Sequence, residues 1–282
     1  MSQNHPHKIK IFFDESGKDK DYPNLMGAVL IPSACYELNS LNSLYDLIKE
    51  GKKPIHWTDY TGDNAAKRRI KTLVEQLMAY HHLLKINVIS YKMNKFEEMA
   101  KPIKPFYKEI TDHTIYTKLP ERVVYGLVRK YGQDTYIDAS VFIEHDTSYS
   151  GAQTIKSSID HTSNKKDLKV TMFEQLNIQS LYRGERYRIS EVDYLPKRQE
   201  FGIEFIDIML GIIRTVIQNN THNSRSSRKK NELVLEMLET IPNLSTLLNS
   251  NIKLYEWNEA QIELTTVPFT NYLNVFLSTN LK

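Results

Sequence analysis

The chain has 282 residues, a formal net charge of +3, one quarter charged residues and a single cysteine, Cys35. One cysteine excludes an internal disulfide framework and a cysteine-rich zinc site. So small a net charge leaves any nucleic-acid contact to local clusters. No run approaches the length of a membrane span and residues 1–7 are polar, so the expectation is a cytoplasmic protein with no membrane partner.

The first element is the run Lys8-Ile9-Lys10-Ile11-Phe12-Phe13-Asp14-Glu15-Ser16-Gly17. Ile9, Ile11 and Phe13 alternate with Lys8, Lys10 and Phe12, the period of a strand. Asp14 falls on the Phe12 side, near the strand's end. Gly17 permits a turn, and the apolar run Leu25 to Ile31 then pairs back on the first strand. Tyr36 to Lys49 reads as helix. Pro54-Ile55-His56-Trp57 reads as a short strand. Asp63 or Asn64 caps a helix running to Tyr80, and Leu83 to Tyr91 is a strand. Phe106 to Tyr131 is a helical region interrupted near Pro120.

Tyr136 to Asp146 is a strong strand, with Ile137, Ala139, Val141 and Ile143 on one side and Asp138, Ser140, Phe142, Glu144 and Asp146 on the other. Gly151 to His161 reads as helix, Leu168 to Phe173 and Tyr187 to Val192 as strands, and Gln199 to Gln218 as the most apolar helix. The polar, basic stretch 219–231 reads as a loop or hinge, followed by two helices and a Thr/Val/Phe-rich end. Strands interleaved with helices predict an α/β fold with a mixed sheet.

Acids cluster at strand ends: Asp14, Glu144 or Asp146, and Asp193 after the strand Tyr187 to Val192. Asp207 lies inside the apolar helix, on a stripe with Glu200, Glu204, Gly211, Arg214 and Gln218. Such a stripe on an amphipathic helix ordinarily faces water. Glu204 and Asp207, like charges three residues apart, are mildly unfavourable without a compensating cation. Gly211, one turn on, costs about 1 kcal/mol of helix propensity and allows a close approach to the backbone. Carboxylates from several strand ends plus one on a packed helix suit hard Mg²⁺ or Mn²⁺ ions and two-metal phosphoryl chemistry.

Phe13-Asp14-Glu15-Ser16-Gly17 resembles the opening motif of the domain-of-unknown-function 3800 family. That bacterial and phage family is regarded as having a ribonuclease H-like fold. Its later signature is an acid after a strand, then a helix reading roughly Gly-Ile-Gln-x-Ala-Asp-x-x-x-Gly. Asp193 and the segment Gly202-Ile203-Glu204-Phe205-Ile206-Asp207-Ile208-Met209-Leu210-Gly211 are similar to it. Glu204 stands where the family usually has glutamine, and Ile206 where it usually has alanine. The resemblance implies a three-layer fold with helices on both sides of a central mixed sheet, formed by residues 1–218. Residues 219–231 would be a basic hinge, and 232–282 a helical extension packed on the domain. It implies a divalent-metal-dependent nuclease acting on DNA or RNA. Asp14, Glu144 and Asp207 would be the core ligands, with Asp193 or Asp146 completing the set. Glu15, on the other side of the strand, and His56 complete the catalytic candidates.

Two basic segments are candidates for nucleic-acid contact. Arg183, Arg186 and Arg188 interleave with Tyr182 and Tyr187, a mix suited to phosphate contact and base stacking. Arg228, Lys229 and Lys230 lie in the stretch read as a loop, where a solvated surface is the plainer reading. Nothing in the sequence excludes a homodimer. Phosphate-binding glycine loops and a Gly-x-Ser-x-Gly elbow are absent. The alternatives are a nuclease-like scaffold that binds nucleic acid or a protein without cutting, and a hydrolase of a small phosphorylated substrate.

Overall fold

The computed structural model describes residues 6–17, 22–92, 114–131, 134–145, 167–220, 224–258 and 263–281. Seven strands form one mixed sheet: β1 (His7–Ser16), β2 (Asn24–Pro32), β3 (Lys85–Tyr91), β4 (Ile137–Glu144), β5 (Tyr187–Leu195), β6 (Ile252–Asn258) and β7 (Glu263–Val267), in the order β5-β4-β1-β2-β3-β6-β7. β1, β2 and β3 pair as an antiparallel meander, while β4 is parallel to β1 and β5 to β4. β2 is an almost continuous apolar run and is buried on both faces, as a central strand covered on each side must be.

Helices cover both faces. On one side lie α1 (Asn42–Lys49), α2 (Asn64–Met78), α5 (Phe201–Gln218), α6 (Arg225–Thr240) and α7 (Phe269–Asn280), packed with Phe12, Val29 and Leu254. On the other lie α3 (Leu119–Val128) and α4 (Leu168–Arg183), packed with Ile9, Ile11, Phe13, Val141 and Ile143. Period-two alternation along β1 and β4 therefore sends one row of side chains to each core. Helix α5 is the central element of its layer, and Phe201, Phe205, Ile206, Leu210 and Ile213 are fully buried. Each such side chain contributes about 1.5–3 kcal/mol on removal from water. The helix sits close to the sheet because Gly202 has no Cβ: one would lie 2.4 Å from the Phe12 ring.

Most expected elements form, Asp63 among them as the cap of α2, accepting the Ala66 N–H at 2.7 Å. Four segments differ. Leu168–Phe173 is not a strand but the start of α4. Asp167 caps it through the Lys169 N–H at 2.9 Å, and Gly184 ends it at φ +63°. Its buried stripe is Leu168, Met172 and Leu176, while Val170 and Phe173, whose residue types suggested a strand, point outward. Pro54–Trp57 forms no strand and leads into a turn. The basic stretch expected as a loop is largely helix: Ser224 caps α6, accepting the Ser227 N–H at 3.1 Å. Residues beyond 232 are no purely helical extension, because β6 pairs parallel to β3 and β7 antiparallel to β6, extending the same sheet. The expected helix at Gly151–His161 lies outside the described residues. Among the described residues, no helix is long and apolar enough to cross a membrane.

Candidate functional site

β1 and β4 are adjacent and parallel, so their C-terminal ends lie side by side. Asp14 and Glu144 sit one step beyond the Phe13–Ile143 pair, on the face covered by α5. Asp207 reaches the same place from the helix. All three carboxylates meet around Lys197, in the connection between β5 and α5. The Lys197 Nζ lies 3.2 Å from Asp207 Oδ2 and 3.4 Å from Glu144 Oε2, and its side chain is 9% exposed.

Asp207 has identifiable supports. Asp207 is 4% exposed and its Oδ2 accepts the Trp57 N–H at 3.0 Å. His56 Nδ1 stands 3.6 Å from the same oxygen but accepts the Thr58 N–H at 3.0 Å. That nitrogen is therefore unprotonated, and in the neutral ring the proton sits on Nε2. Gly211 makes the approach possible, because a Cβ there would lie 2.0 Å from Trp57 Cγ. Burial works against the Lys197 charge, but Asp207, Asp14 and Glu144 outweigh it and hold its pKa above the ordinary lysine value.

Asp14 is in the opposite condition. Burial first, then the Glu144 and Asp207 charges, push its pKa well above the ordinary carboxylate value, against the pull of Lys197. Its Oδ1 accepts the Glu15 N–H at 2.7 Å, but its buried Oδ2 meets no donor. Its near neighbour is the Glu144 carboxylate, another acceptor. Two such groups coexist only by sharing a proton or a cation. Glu204 is fully buried behind them: one oxygen accepts the Arg198 N–H, the other meets no donor, and burial raises its pKa to about 7.

The middle of the polar stripe of α5 thus does not face water, and its ends are held by other parts of the chain. Glu200 accepts from the hydroxyls of Tyr36 at 2.8 Å and Tyr45 at 3.1 Å. Arg214 Nε donates to the Pro23 carbonyl at 3.0 Å and Gln218 to that of Tyr22 at 2.6 Å, tying the helix to the β1–β2 turn.

Of the expected site residues, Asp14, Glu144, Asp207 and His56 come together. Glu15 is next to Asp14 on β1, paired with Met26. Asp193 does not join the cluster. It lies within β5, beside Phe142, with Lys169 Nζ at 2.6 Å from its carboxylate and the Tyr194 N–H at 3.0 Å. The Lys169 contact holds its pKa below the ordinary value. Asp146 lies outside the described residues. Arg186 and Arg188 flank the start of β5, where Asp138 pairs with Arg188, whereas Glu144 pairs with Leu195. Six residues of strand separate the two ends, roughly 20 Å. Arg183 is engaged elsewhere, its Nη1 donating to the Tyr125 hydroxyl at 2.8 Å. The other basic group does approach the site: Lys230 Nζ donates to the Thr58 carbonyl at 3.4 Å, and Ser226 to that of Tyr60.

Lys197 went unread in the sequence because a lysine in a strand-to-helix connection carries no periodicity. The one signal was indirect, the need of Glu204 and Asp207 for a cation. Among the described residues, no group of three His, Cys, Asp or Glu side chains is arranged to enclose a metal ion. A cavity of about 490 Å³ lies across the sheet from the acids, bordered by Lys118, Arg122, Arg129, Tyr255 and Trp257. Two of its cations are already engaged, Lys118 by Glu121 at 3.1 Å and Arg129 over the Tyr125 ring. The chemistry-bearing residues are on the α5 side. No family model, curated protein or solved structure matches the chain.

Proposed function

We propose that this protein is a divalent-metal-dependent phosphodiester hydrolase acting on nucleic acid, built on a ribonuclease H-like sheet. The observation that carries the reading is the convergence of the buried Asp14 and Asp207 with the partly exposed Glu144, with Asp14 Oδ2 left without a donor. The strand order β3-β2-β1-β4-β5, an antiparallel meander followed by two parallel strands with acids at the ends of β1 and β4, supports the fold part of the reading.

The donor atoms suit a hard cation, although the three side chains as placed do not enclose one. They are carboxylate oxygens, in excess of the one ammonium facing them, and one of them is buried without a partner. Asp14, Glu144 and Asp207 would hold Mg²⁺ or Mn²⁺, which when bound supplies charge stabilisation for a phosphoryl group and acidifies water. The Trp57 amide fixes the Asp207 carboxylate, and Lys197 offsets one of the carboxylate charges. His56 Nε2–H is a donor for a phosphate oxygen or a water. Lys230 on α6, beside Thr58, adds positive charge two residues from His56.

The test is cleavage of labelled single-stranded, duplex and hybrid nucleic acids with Mg²⁺ or Mn²⁺. Asp14→Asn should lower the rate by at least about 100-fold, the scale set by losing one organised charge partner. Equal behaviour of Asp14→Asn and wild type on every substrate sinks the catalytic reading.

A second reading, a scaffold that binds nucleic acid without cutting, has its own observation: Lys197 already pairs two of the three acids. It predicts binding that weakens steeply with salt and is unchanged by EDTA.

A further inference from the structure

We propose that the exposed basic loop at the end of α1, Lys49 to Lys53, is a contact surface for the phosphate backbone of a nucleic-acid strand lying across the candidate site. The inference rests on the nucleic-acid reading above and deepens it by naming where the strand is held.

The shape of the loop follows from the end of α1. The last carbonyls of a helix have no partner inside it and need donors from elsewhere. Two arginines supply them. Arg69 of α2, 8% exposed, donates to the carbonyls of Leu47 and Ile48 at 3.4 Å and to that of Lys53 at 3.0 Å. Arg198, next to Lys197, donates to the carbonyls of Ile48 at 3.2 Å, Gly51 at 2.9 Å and Lys52 at 3.5 Å, and to that of Lys49. Gly51 turns the chain at φ +77°. The loop carbonyls therefore face inward to the two guanidinium groups, while Lys49, Lys52 and Lys53 are exposed.

The cations divide into two sets. Arg69 and Arg198 hold backbone, and Arg68 pairs with Glu50. Lys49, Lys52 and Lys53 do neither: among the described residues, none of the three has an ion pair or a side-chain hydrogen bond. The carboxylates around the loop do not cancel them. Glu50 is taken by Arg68, Glu204 is buried beneath Arg69 and Arg198, and Asp46, one turn back on α1, forms no ion pair with Lys49. Carbonyl dipoles hold a guanidinium without removing its charge, so the three lysines stand over two further cations. Such a group repels itself and is relieved by an anionic backbone laid across it. Flexible ammonium groups suit phosphates and read no sequence.

The loop also lies beside the acids. Arg198 follows Lys197, which reaches Asp207 and Glu144. From Lys53 the chain runs through Pro54 and Ile55 to His56, whose Nδ1 stands 3.6 Å from Asp207. Three residues span at most about 11 Å. A strand held by the loop thus passes the acids, whereas one held by Arg186 and Arg188 lies at the other end of β5.

The test is fluorescence anisotropy of labelled single-stranded DNA, single-stranded RNA and duplex DNA, in EDTA and across a salt series. The proteins are wild type, Lys49→Gln/Lys52→Gln/Lys53→Gln, Lys49→Arg/Lys52→Arg/Lys53→Arg and Arg186→Gln/Arg188→Gln, with circular dichroism to establish that each is folded. The triple glutamine variant should bind at least about 10-fold more weakly near physiological salt, and its slope of log affinity against log salt should fall by about 2 on single strands. The arginine variant and Arg186→Gln/Arg188→Gln should bind as wild type does. Unchanged affinity and slope in the folded triple glutamine variant overturn the inference and leave the nucleic-acid reading intact. An equal loss in Arg186→Gln/Arg188→Gln also overturns it, because net charge alone then accounts for the effect. If the triple glutamine variant does not fold, Lys52→Gln/Lys53→Gln takes its place in the same comparison. Wild type that binds none of the three nucleic acids removes the nucleic-acid reading itself, and the inference with it.

Discussion

Helices α5 and α6 both carry charges at helical spacing, and the fold treats them in opposite ways. On α5, Glu204 and Asp207 are 0% and 4% exposed. On α6, Arg225 and Arg228 are exposed, Lys229 pairs with its own helix neighbour Glu232 at 2.6 Å, and Glu236 takes Lys71 of α2 at 2.8 Å. Both are amphipathic, but α5 is far more apolar than α6, which is why it lies inside. What lets its charges stay there is what other elements bring to each of them. Asp207 is met by the Trp57 amide and Lys197, Glu204 by the Arg198 amide, and Glu200 by two tyrosine hydroxyls. Charges stay buried only where such partners are supplied, because an unpaired buried charge costs far more than a surface pair contributes. Helix α5 is therefore buried with its charges, and α6 lies at the surface with its own.

The largest expected effect that sharpens this contrast belongs to Glu204. Its pKa is raised from 4.5 to about 7, with burial as the main cause. Between those two values the folded protein keeps a proton that the unfolded chain releases. This group's contribution is therefore most favourable below about pH 4.5 and is lost as pH rises to 7. Glu204→Gln removes that penalty while keeping an acceptor for the Arg198 amide. The variant should be more stable above pH 7 by up to about 3 kcal/mol, with a flatter stability–pH slope between pH 5 and 7. Urea denaturation across that range, without added divalent ions, is the measurement. An unchanged slope would mean that Glu204 is not held protonated.

Next in size is Gly211→Ala. Alanine gains about 1 kcal/mol of helix propensity. Its methyl must still displace the indole of Trp57, whose amide holds Asp207. Overpacking of this kind costs about 1–3 kcal/mol and sometimes more, so after that gain a net loss of about 1–2 kcal/mol is expected, with a shifted tryptophan emission. A neutral or stabilising result would show that Trp57 does not pack on the helix as described.

The smallest effect is expected on α6. Lys229→Ala removes an exposed i, i+3 pair and should change stability by no more than about 0.5 kcal/mol. A loss of several kcal/mol would erase the distinction between the two helices.

Much of the scaffold was legible because its signals are local. The alternation in β1 and β4 assigned each residue to a face, and Phe12 and Asp14 do share the α5 side. Asp63 announced α2, and the apolar length of α5 marked it as central. The start of α4 reads as strand because Val170, Thr171 and Phe173 are strand formers by type, whereas Asp167 and Gly184, framing sixteen residues between them, define the helix. The basic stretch before Glu232 was misread because polarity suggested a loop, while the capping by Ser224 is what starts α6.

The candidate site was legible only in part. Asp14, Glu144 and Asp207 were marked by type and by place at strand ends or on the helix stripe. Asp193 carried the same marks, yet its carboxylate is taken by Lys169 from α4. Lys197 carried none, yet it holds two of the three acids.

By itself, then, the sequence determined β1 to β5, α2 and the apolar α5, because hydrophobic period and caps act within a few residues. It also determined that acids collect near the ends of β1 and β4. Tertiary structure decided which acids converge, which lysine pairs with two of them, and that Glu204 and Asp207 of the α5 stripe turn inward. Those outcomes depend on Coulomb and desolvation energies between groups far apart in the chain, and only the packed sheet and helices fix the distances on which those energies depend.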